Sequence, residues 1–212
     1  MFVGHYSVSL AARRSTVDLP LWVWFIAVQW LDFGFMTLVL LGIEKVHIVP
    51  GFTAANPLDL YYMPYTHGLL GATVMSAVFA ALVAAAFPAA RSAGGFGLVW
   101  LASFSHWLLD LVMHTPDLPI VNGPTKVGLG LWNHLAVELT LELVLVVVCA
   151  WIYATGVGAK ARRRLAILVA AMVIVQLYST FGPIPTSTTA FAVTALAAYV
   201  LLILGARWVE RP

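Results

Sequence analysis

Residues 20–43 read PLWVWFIAVQWLDFGFMTLVLLGI, and Asp32 is the single ionisable side chain in this stretch. A helix of about 20 apolar residues crosses the roughly 30 Å hydrocarbon layer of a bilayer. The apolar residues run continuously rather than alternating with polar ones, which favours a helix over a strand of a membrane barrel. We therefore predict a transmembrane helix with a carboxylate near its middle.

Five further apolar windows follow, separated by Pro, Gly or charged residues. The chain has 212 residues, of which 62% are hydrophobic and only 9% charged, and its mean hydropathy is +0.95. Water could not solvate such a surface, so we predict an all-α, polytopic transmembrane helical bundle that forms one domain over residues 1–212. The break at 182–185 predicts either a tight hairpin or a kink. The six predicted spans are 20–43, 64–87, 95–114, 129–154, 165–182 and 186–206.

The distribution of positive charge predicts the orientation of the spans, because Lys and Arg near span ends are retained in the cytoplasm. Nine of the eleven Lys and Arg residues fall on one side, and only Lys45 and Lys126 fall on the other. We therefore predict that both termini are cytoplasmic and that loops 44–63 and 115–128 face outward. The apolar start of the chain precedes its first arginines, the reverse of a signal peptide, so we expect no cleaved signal. His5 is expected to lie in a tail without a role.

Ionisable side chains inside membrane spans cost a few kcal/mol each, so their presence indicates function. Span three carries His106, Asp110 and His114 at positions i, i+4 and i+8, which lie on one face of a helix. Imidazole and carboxylate groups one turn apart can bind a cation such as Zn²⁺, or they can serve two neighbouring ions. The other spans contribute Gln29 and Asp32, His67, and His134, Glu138 and Glu142.

The depths of these side chains agree with a single site. With a rise of about 1.5 Å per residue, they fall in the outer half of the membrane or near its midplane. Taken singly, His67 or His134 is more typical of an interhelical hydrogen bond than of a metal ligand. Three such groups on one face of span three are costly if they serve packing alone. The ionisable residues of the first outer loop are expected to be solvated; they are Glu44, Lys45, His47 and Asp59.

The segments YTHGLL at 65–70 and SHWLLD at 105–110 resemble two elements of a family of small bacterial inner-membrane proteins described as membrane-bound metal-dependent hydrolases. A Pro-containing turn, TPDLP at 115–119, follows as in the family, and QWLD at 29–32 is the nearest counterpart of its acidic element. The resemblance covers about residues 29–120. It implies a multi-pass protein of the bacterial inner (plasma) membrane, with a metal site formed by Asp32, His67, His106 and Asp110.

Together these observations predict a metal-dependent membrane hydrolase with its site open to the outer side. The expected cofactor is a divalent metal, with zinc preferred over manganese or iron, and the expected substrate is a lipid or another amphiphilic ester or phosphoester. The expected partners are membrane lipids, and the net charge of +2 gives no reason to expect nucleic acid. His114 is a further metal ligand or orients one. Glu138 or His134 is the candidate general base or leaving-group acid.

Three alternatives stay open. A transporter of protons or transition-metal ions could use the same cluster, and it would need polar groups that continue into the inner half of the membrane. A diiron-type oxidoreductase could use two metals, although the histidine boxes of membrane desaturases are absent. A structural membrane subunit could use the polar cluster only for helix packing. The two-metal set would be His106, Asp110, His114, His134 and Glu138.

Overall fold

Six long helices form the body of this computed structural model, which describes residues 1–212. Each is long and apolar enough to cross a membrane, so the all-α class and the six predicted spans are confirmed. A short helix that the sequence analysis did not predict precedes them. The helices are α1 (His5–Ala12), α2 (Leu21–Leu40), α3 (Leu69–Ala86), α4 (Ala93–Met113), α5 (Leu135–Ala154), α6 (Ala159–Phe181) and α7 (Thr188–Val209).

The two longer loops are not irregular throughout, because each contains a small antiparallel hairpin. In the first, strands β1 (Lys45–Ile48) and β2 (Leu58–Tyr62) pair with an irregularity near their open end. In the second, β3 (Leu118–Pro119) pairs with β4 (Lys126–Val127). Short antiparallel ladders satisfy the backbone groups of these loops and fix where each loop returns to the bundle.

Helix α1 lies inside the bundle, where it packs against α2, α4 and α5. His5, Tyr6 and Leu10 are completely buried, so the expectation that His5 lies in a tail without a role is wrong. A helix of eight residues is only about 12 Å long and cannot cross a membrane. For this reason a search for spans by length passes over it.

Helix α1 fills the half of the bundle that lies towards the arginine-rich helix ends. On one side its residues join a core formed with α2, α5, α6 and α7, and on the other a core formed with α2, α3 and α4. Arg13, just after the helix, donates from Nε to Glu210 Oε1 at 2.6 Å. Burial opposes the charge of this guanidinium, but the hydrogen bond and the charge of Glu210 raise the pKa of Arg13 above its usual value. This ion pair attaches the end of α1 to the end of α7.

The break between α6 and α7 is a hairpin rather than a kink. Helix α6 ends at Phe181, α7 begins at Thr188, and the two helices pack against each other. Ser187 caps α7 by accepting a hydrogen bond from the Ala190 backbone N–H. Because α7 also packs along α2, the hairpin places the first half of α7 near Asp32 of α2, to which Tyr199 of α7 donates a hydrogen bond.

Candidate metal centre

Four side chains from three parts of the chain converge inside the bundle. Asp32 comes from α2, His67 from the turn just before α3, and His106 and Asp110 from successive turns of α4. The Nε2 atoms of His67 and His106 lie 3.3 Å apart. Asp32 Oδ1 lies 3.4 and 3.5 Å from these two nitrogens, and Asp110 Oδ2 lies 3.5 and 3.1 Å from them. These are the four residues that the family resemblance implied as ligands.

A backbone carbonyl fixes the protonation pattern of His106. Its Nδ1 lies 2.7 Å from the carbonyl oxygen of Val28, which can only accept a hydrogen bond. Nδ1 therefore carries the proton and donates it, and in the neutral ring Nε2 presents a lone pair to the cluster. A hydrogen bond of this kind orients metal-binding histidines in proteins.

His67 is oriented by a relay through Thr66 to Glu44. The Thr66 hydroxyl donates to Glu44 Oε2 at 2.5 Å, and its oxygen lies 2.8 Å from His67 Nδ1. The hydroxyl oxygen therefore accepts from Nδ1–H, and His67 also directs a lone pair from Nε2 into the cluster. Glu44 is 1% exposed, so the expectation that it is solvated is wrong; His47, also expected to be solvated, is exposed and pairs with Asp59.

Two nitrogen lone pairs and two carboxylate oxygens within these distances repel one another unless a metal ion or a proton lies among them, and the Met1 ammonium contacts only the other oxygen of Asp110, Oδ1, at 2.8 Å. The residues are almost fully buried, with His106 at 0%, Asp110 at 2% and His67 at 3% exposed, so water does little to screen the repulsion. Asp32, His67 and His106 offer ligand atoms close enough to hold one ion, and Asp110 belongs to an overlapping group with His106. This cluster could hold a metal ion.

Asp32 is held by two side chains that direct its second oxygen away from the cluster. The Tyr199 hydroxyl of α7 donates to Oδ2 at 3.0 Å, and the Gln29 amide donates to the same oxygen. Gln29 lies one turn before Asp32 on α2, so it was noticed in the sequence. Tyr199 was not, because its contact depends on how α7 packs against α2.

His114 lies at the margin of the four-residue cluster. Its Nδ1 lies 2.8 Å from Asp117 Oδ1, its ring packs against Trp132, and its Nε2 is 3.7 Å from Asp110 Oδ2. The carboxylate of Asp117 orients the imidazole as a carboxylate orients many metal ligands. His114 is therefore placed to bind or to orient, the two roles that the sequence left open.

His5 joins the cluster from the opposite side of His106. The two imidazole rings are stacked, with centroids 3.7 Å apart and planes 8° from parallel, and His5 Nε2 lies 3.2 Å from Asp110 Oδ1. His5, His106 and Asp110 form a second group with ligand atoms close together. His106 has only one free nitrogen, and both groups would use it as a ligand. The two groups therefore fit one ion better than two. In the sequence, only the apolar residues after His5 indicated that this segment is not a solvated tail.

Residues of α5 and α6 satisfy the free backbone donors at the start of α1. The Phe2 and Gly4 N–H groups donate to the Glu142 carboxylate, at 2.9 and 2.8 Å for their shortest contacts. The Val3 N–H donates to Gln176 Oε1 at 3.4 Å. A buried helix start needs such acceptors, and negative charge there also favours the helix dipole. Glu142 and Gln176 therefore support α1.

A cavity of about 460 Å³ adjoins the cluster. It is lined by Asp32, His67, Asp110 and His114 on one side and by the α6–α7 hairpin and the first outer loop on another. Glu138 lines it too, is 3% exposed and has an Oε2 atom without a hydrogen-bond partner. His134 is exposed just before α5 and is not among the lining residues. Of the two candidate acid–base residues, the structure brings only Glu138 to the cavity.

No family model, curated protein or solved structure matches this chain. The fold and the cluster themselves define its class. It is a multi-pass membrane protein with six apolar helices and a buried histidine and carboxylate cluster that could hold a metal ion.

Proposed function

We propose that this protein is a zinc-dependent membrane hydrolase that acts on a lipid or another amphiphilic ester or phosphoester from the outer side of a bacterial inner membrane. The observation that carries the proposal is the convergence of Asp32, His67, His106 and Asp110 beside an apolar cavity. Open metal sites that hydrolyse substrates need ligands held in place and a space for the reacting group next to them. Both features are present in this bundle.

The spacing of the donor atoms supports zinc. Zinc ligands lie about 2.0–2.1 Å from the metal in a tetrahedral arrangement, so that neighbouring ligand atoms are about 3.3–3.4 Å apart. The five measured distances among the four donors run from 3.1 to 3.5 Å. Imidazole and carboxylate are also the ligands of many catalytic zinc sites.

A divalent ion held by Asp32, His67, His106 and Asp110 would supply Lewis acidity and would lower the pKa of a bound water towards about 7. In the hydrolysis, the water oxygen bonds to the acyl or phosphoryl centre, the bond to the leaving group breaks, and a proton passes to the leaving group. Glu138 is the residue we assign to carry that proton, because its free oxygen lines the same cavity and because a carboxyl group can both accept and donate. Tyr199 and Gln29 keep Asp32 oriented throughout.

The filling of the inner half of the bundle supports hydrolysis over transport. A path across the membrane would need polar groups beyond the cluster, and that region is occupied by α1 with the buried apolar residues Val3, Tyr6 and Leu10. Glu142 and Gln176 are engaged by the start of α1. The two-metal oxidoreductase is disfavoured because His134 is exposed.

Metal analysis tests the proposal first. Purified wild-type protein is expected to contain about one zinc ion per chain, because the two groups of possible ligands share His106 and a catalytic zinc site uses about three protein ligands. A His106→Ala, Asp110→Ala double variant should lose that zinc, whereas His47→Ala, which removes an exposed histidine of the first hairpin, should retain it. Zinc in the double variant, or no zinc in the wild type after reconstitution, would contradict the proposal.

Activity is the second measurement. The wild type is expected to release p-nitrophenol from p-nitrophenyl dodecanoate, to lose this activity on chelation and to regain it with added zinc. The single variant His106→Ala should be inactive while its helix content stays that of the wild type. Full activity in His106→Ala would show that the cluster is not the catalytic site.

A further inference from the structure

The cavity beside the cluster carries negative charge without matching cationic side chains. No Lys or Arg is found among its 32 lining residues, whereas Asp32, Asp110, Glu138 and Glu142 all line it. The two outer-side lysines lie elsewhere: Lys45 is exposed, and Lys126 donates to the Tyr61 carbonyl oxygen. The Met1 ammonium, which also lines the cavity, donates to Asp110 Oδ1 at 2.8 Å. One ammonium faces four carboxylates, so negative charge remains that a metal ion and a ligand can balance.

Three of the four carboxylates already have partners. Asp32 and Asp110 face the histidine nitrogens of the metal centre, where a divalent ion would balance them, and Asp110 also accepts a hydrogen bond from the Met1 ammonium. Glu142 accepts the backbone N–H groups of Phe2 and Gly4. Glu138 is left, with 3% of its surface exposed and Oε2 unpartnered. A buried carboxylate without a partner is costly, and a cation in the cavity would remove that cost.

The rest of the cavity wall is largely apolar. It includes Phe35 and Met36 of α2, Leu60 and Met63 of the first outer loop, and Phe191 of α7. A volume of about 460 Å³ is within the range of pockets that enclose a small organic ligand. The occupant therefore has an apolar part that packs against this wall and a charged part that meets Glu138.

We propose that the cavity binds an amphiphile whose head group carries a protonated amine, with the ammonium on Glu138 and the apolar chain along the wall formed by α2, α7 and the first outer loop. As a statement about the substrate, this rests on the proposed hydrolase function and narrows it to an ester with an amine in its head group. An anionic phosphate head group would place like charges together in a space of low dielectric, which disfavours its binding.

Competition binding tests the proposal with ligands that share one chain length. Protein in phosphatidylcholine nanodiscs is loaded with a fluorescent alkylamine, which is displaced by dodecylamine, dodecanol or dodecyl phosphate. Dodecylamine is expected to bind at least about tenfold more tightly than dodecyl phosphate, a cautious figure for replacing a like charge by an opposite one. Glu138→Gln should remove that preference, and Asp18→Asn, which neutralises a highly exposed carboxylate outside the cavity, should keep it.

Equal or tighter binding of dodecyl phosphate to the wild type would overturn the proposal, and this comparison needs no variant. Survival of the amine preference in Glu138→Gln would also overturn it. The measurement is made with and without chelator, so its result does not depend on zinc. An amine preference in a protein that takes up no zinc on reconstitution would refute the hydrolase and leave this inference standing, whereas zinc-dependent hydrolysis without the preference would do the reverse.

Discussion

The ring of His5 makes two separate contacts at the cluster, and they predict different consequences for metal binding. One is the parallel stack on His106, and the other is the approach of Nε2 to Asp110. His5→Phe keeps a flat ring but removes the nitrogen, whereas His5→Ala removes both. We expect His5→Phe to weaken zinc binding by about 10–100-fold, the usual cost of losing a group that supports metal ligands.

Competition with a coloured chelator measures this change, with His47→Phe as the matched control on an exposed histidine. If His5→Phe binds zinc as tightly as the wild type and His5→Ala does not, the stack on His106 is the contribution that matters. If neither variant changes zinc affinity, His5 has no part in the metal centre.

Thr66 gives a second prediction at this scale, because its hydroxyl connects His67 to Glu44. Thr66→Val keeps the shape of the side chain and breaks the relay, so His67 is no longer held with its lone pair towards the cluster. Zinc affinity is expected to fall by about 10–100-fold, and Thr66→Ser should restore it. The same chelator assay measures the affinity for zinc. An unchanged affinity in Thr66→Val would show that the hydrogen bonds through Thr66 do not support metal binding.

At the residue scale, the sequence predicted which side chains meet in the cluster better than it predicted the residues that orient them. His106 and Asp110 are one turn apart on α4, so helical spacing alone placed them together. Glu44, Asp117 and Tyr199 are ordinary in their own segments, and their roles arise only where segments distant in sequence meet. A buried carboxylate such as Glu44 cannot be distinguished from a solvated one by local composition when it lies in a polar loop.

At the scale of elements, the position of α1 in the bundle depends on hydrogen bonds to Glu142 more than on the helix's own sequence. Its first backbone N–H groups lie in the bundle, where water cannot replace a missing acceptor. Glu142→Ala leaves the Phe2 and Gly4 donors unpaired, so we expect the free energy of unfolding to fall by about 2–4 kcal/mol. Glu142→Gln keeps an acceptor oxygen and should cost less.

Unfolding in mixed detergent micelles measures these differences, and Thr140→Ala is the matched control, because Thr140 is an exposed residue of the same helix. A loss in Glu142→Ala no larger than in Thr140→Ala would show that α1 finds other acceptors.

The six spans could be predicted from the sequence, since length and hydropathy decide them. Helix α1 could not, because eight residues carry no span signal and its place depends on tertiary partners.

For the whole molecule, the asymmetric filling of the bundle predicts access from one side only. Ala195 lines the cavity and Ala206 is fully buried in the filled half of the same helix. In a Cys149→Ser background, we expect Ala195→Cys to react with a membrane-impermeant thiol reagent added from the outer side, and Ala206→Cys to remain unlabelled from either side.

Labelling in right-side-out and inverted vesicles makes this comparison and also tests the orientation predicted from the charges. Reaction of Ala195→Cys only in inverted vesicles would reverse that orientation. Reaction of Ala206→Cys would indicate a polar path through the inner half and would favour the transporter.

The hydrogen bonds between α1 and Glu142 also have a consequence for the time course of synthesis. Glu142 follows Phe2 by 140 residues, so at about 5–20 residues per second the ribosome takes about 7–28 s to make the acceptor after the donors. During that interval α1 is too short to insert as a span and has no partner for its first donors. Helix α1 is therefore fixed in place only after α5 has been made, by which time Asp32, His67, His106 and Asp110 have all been synthesised.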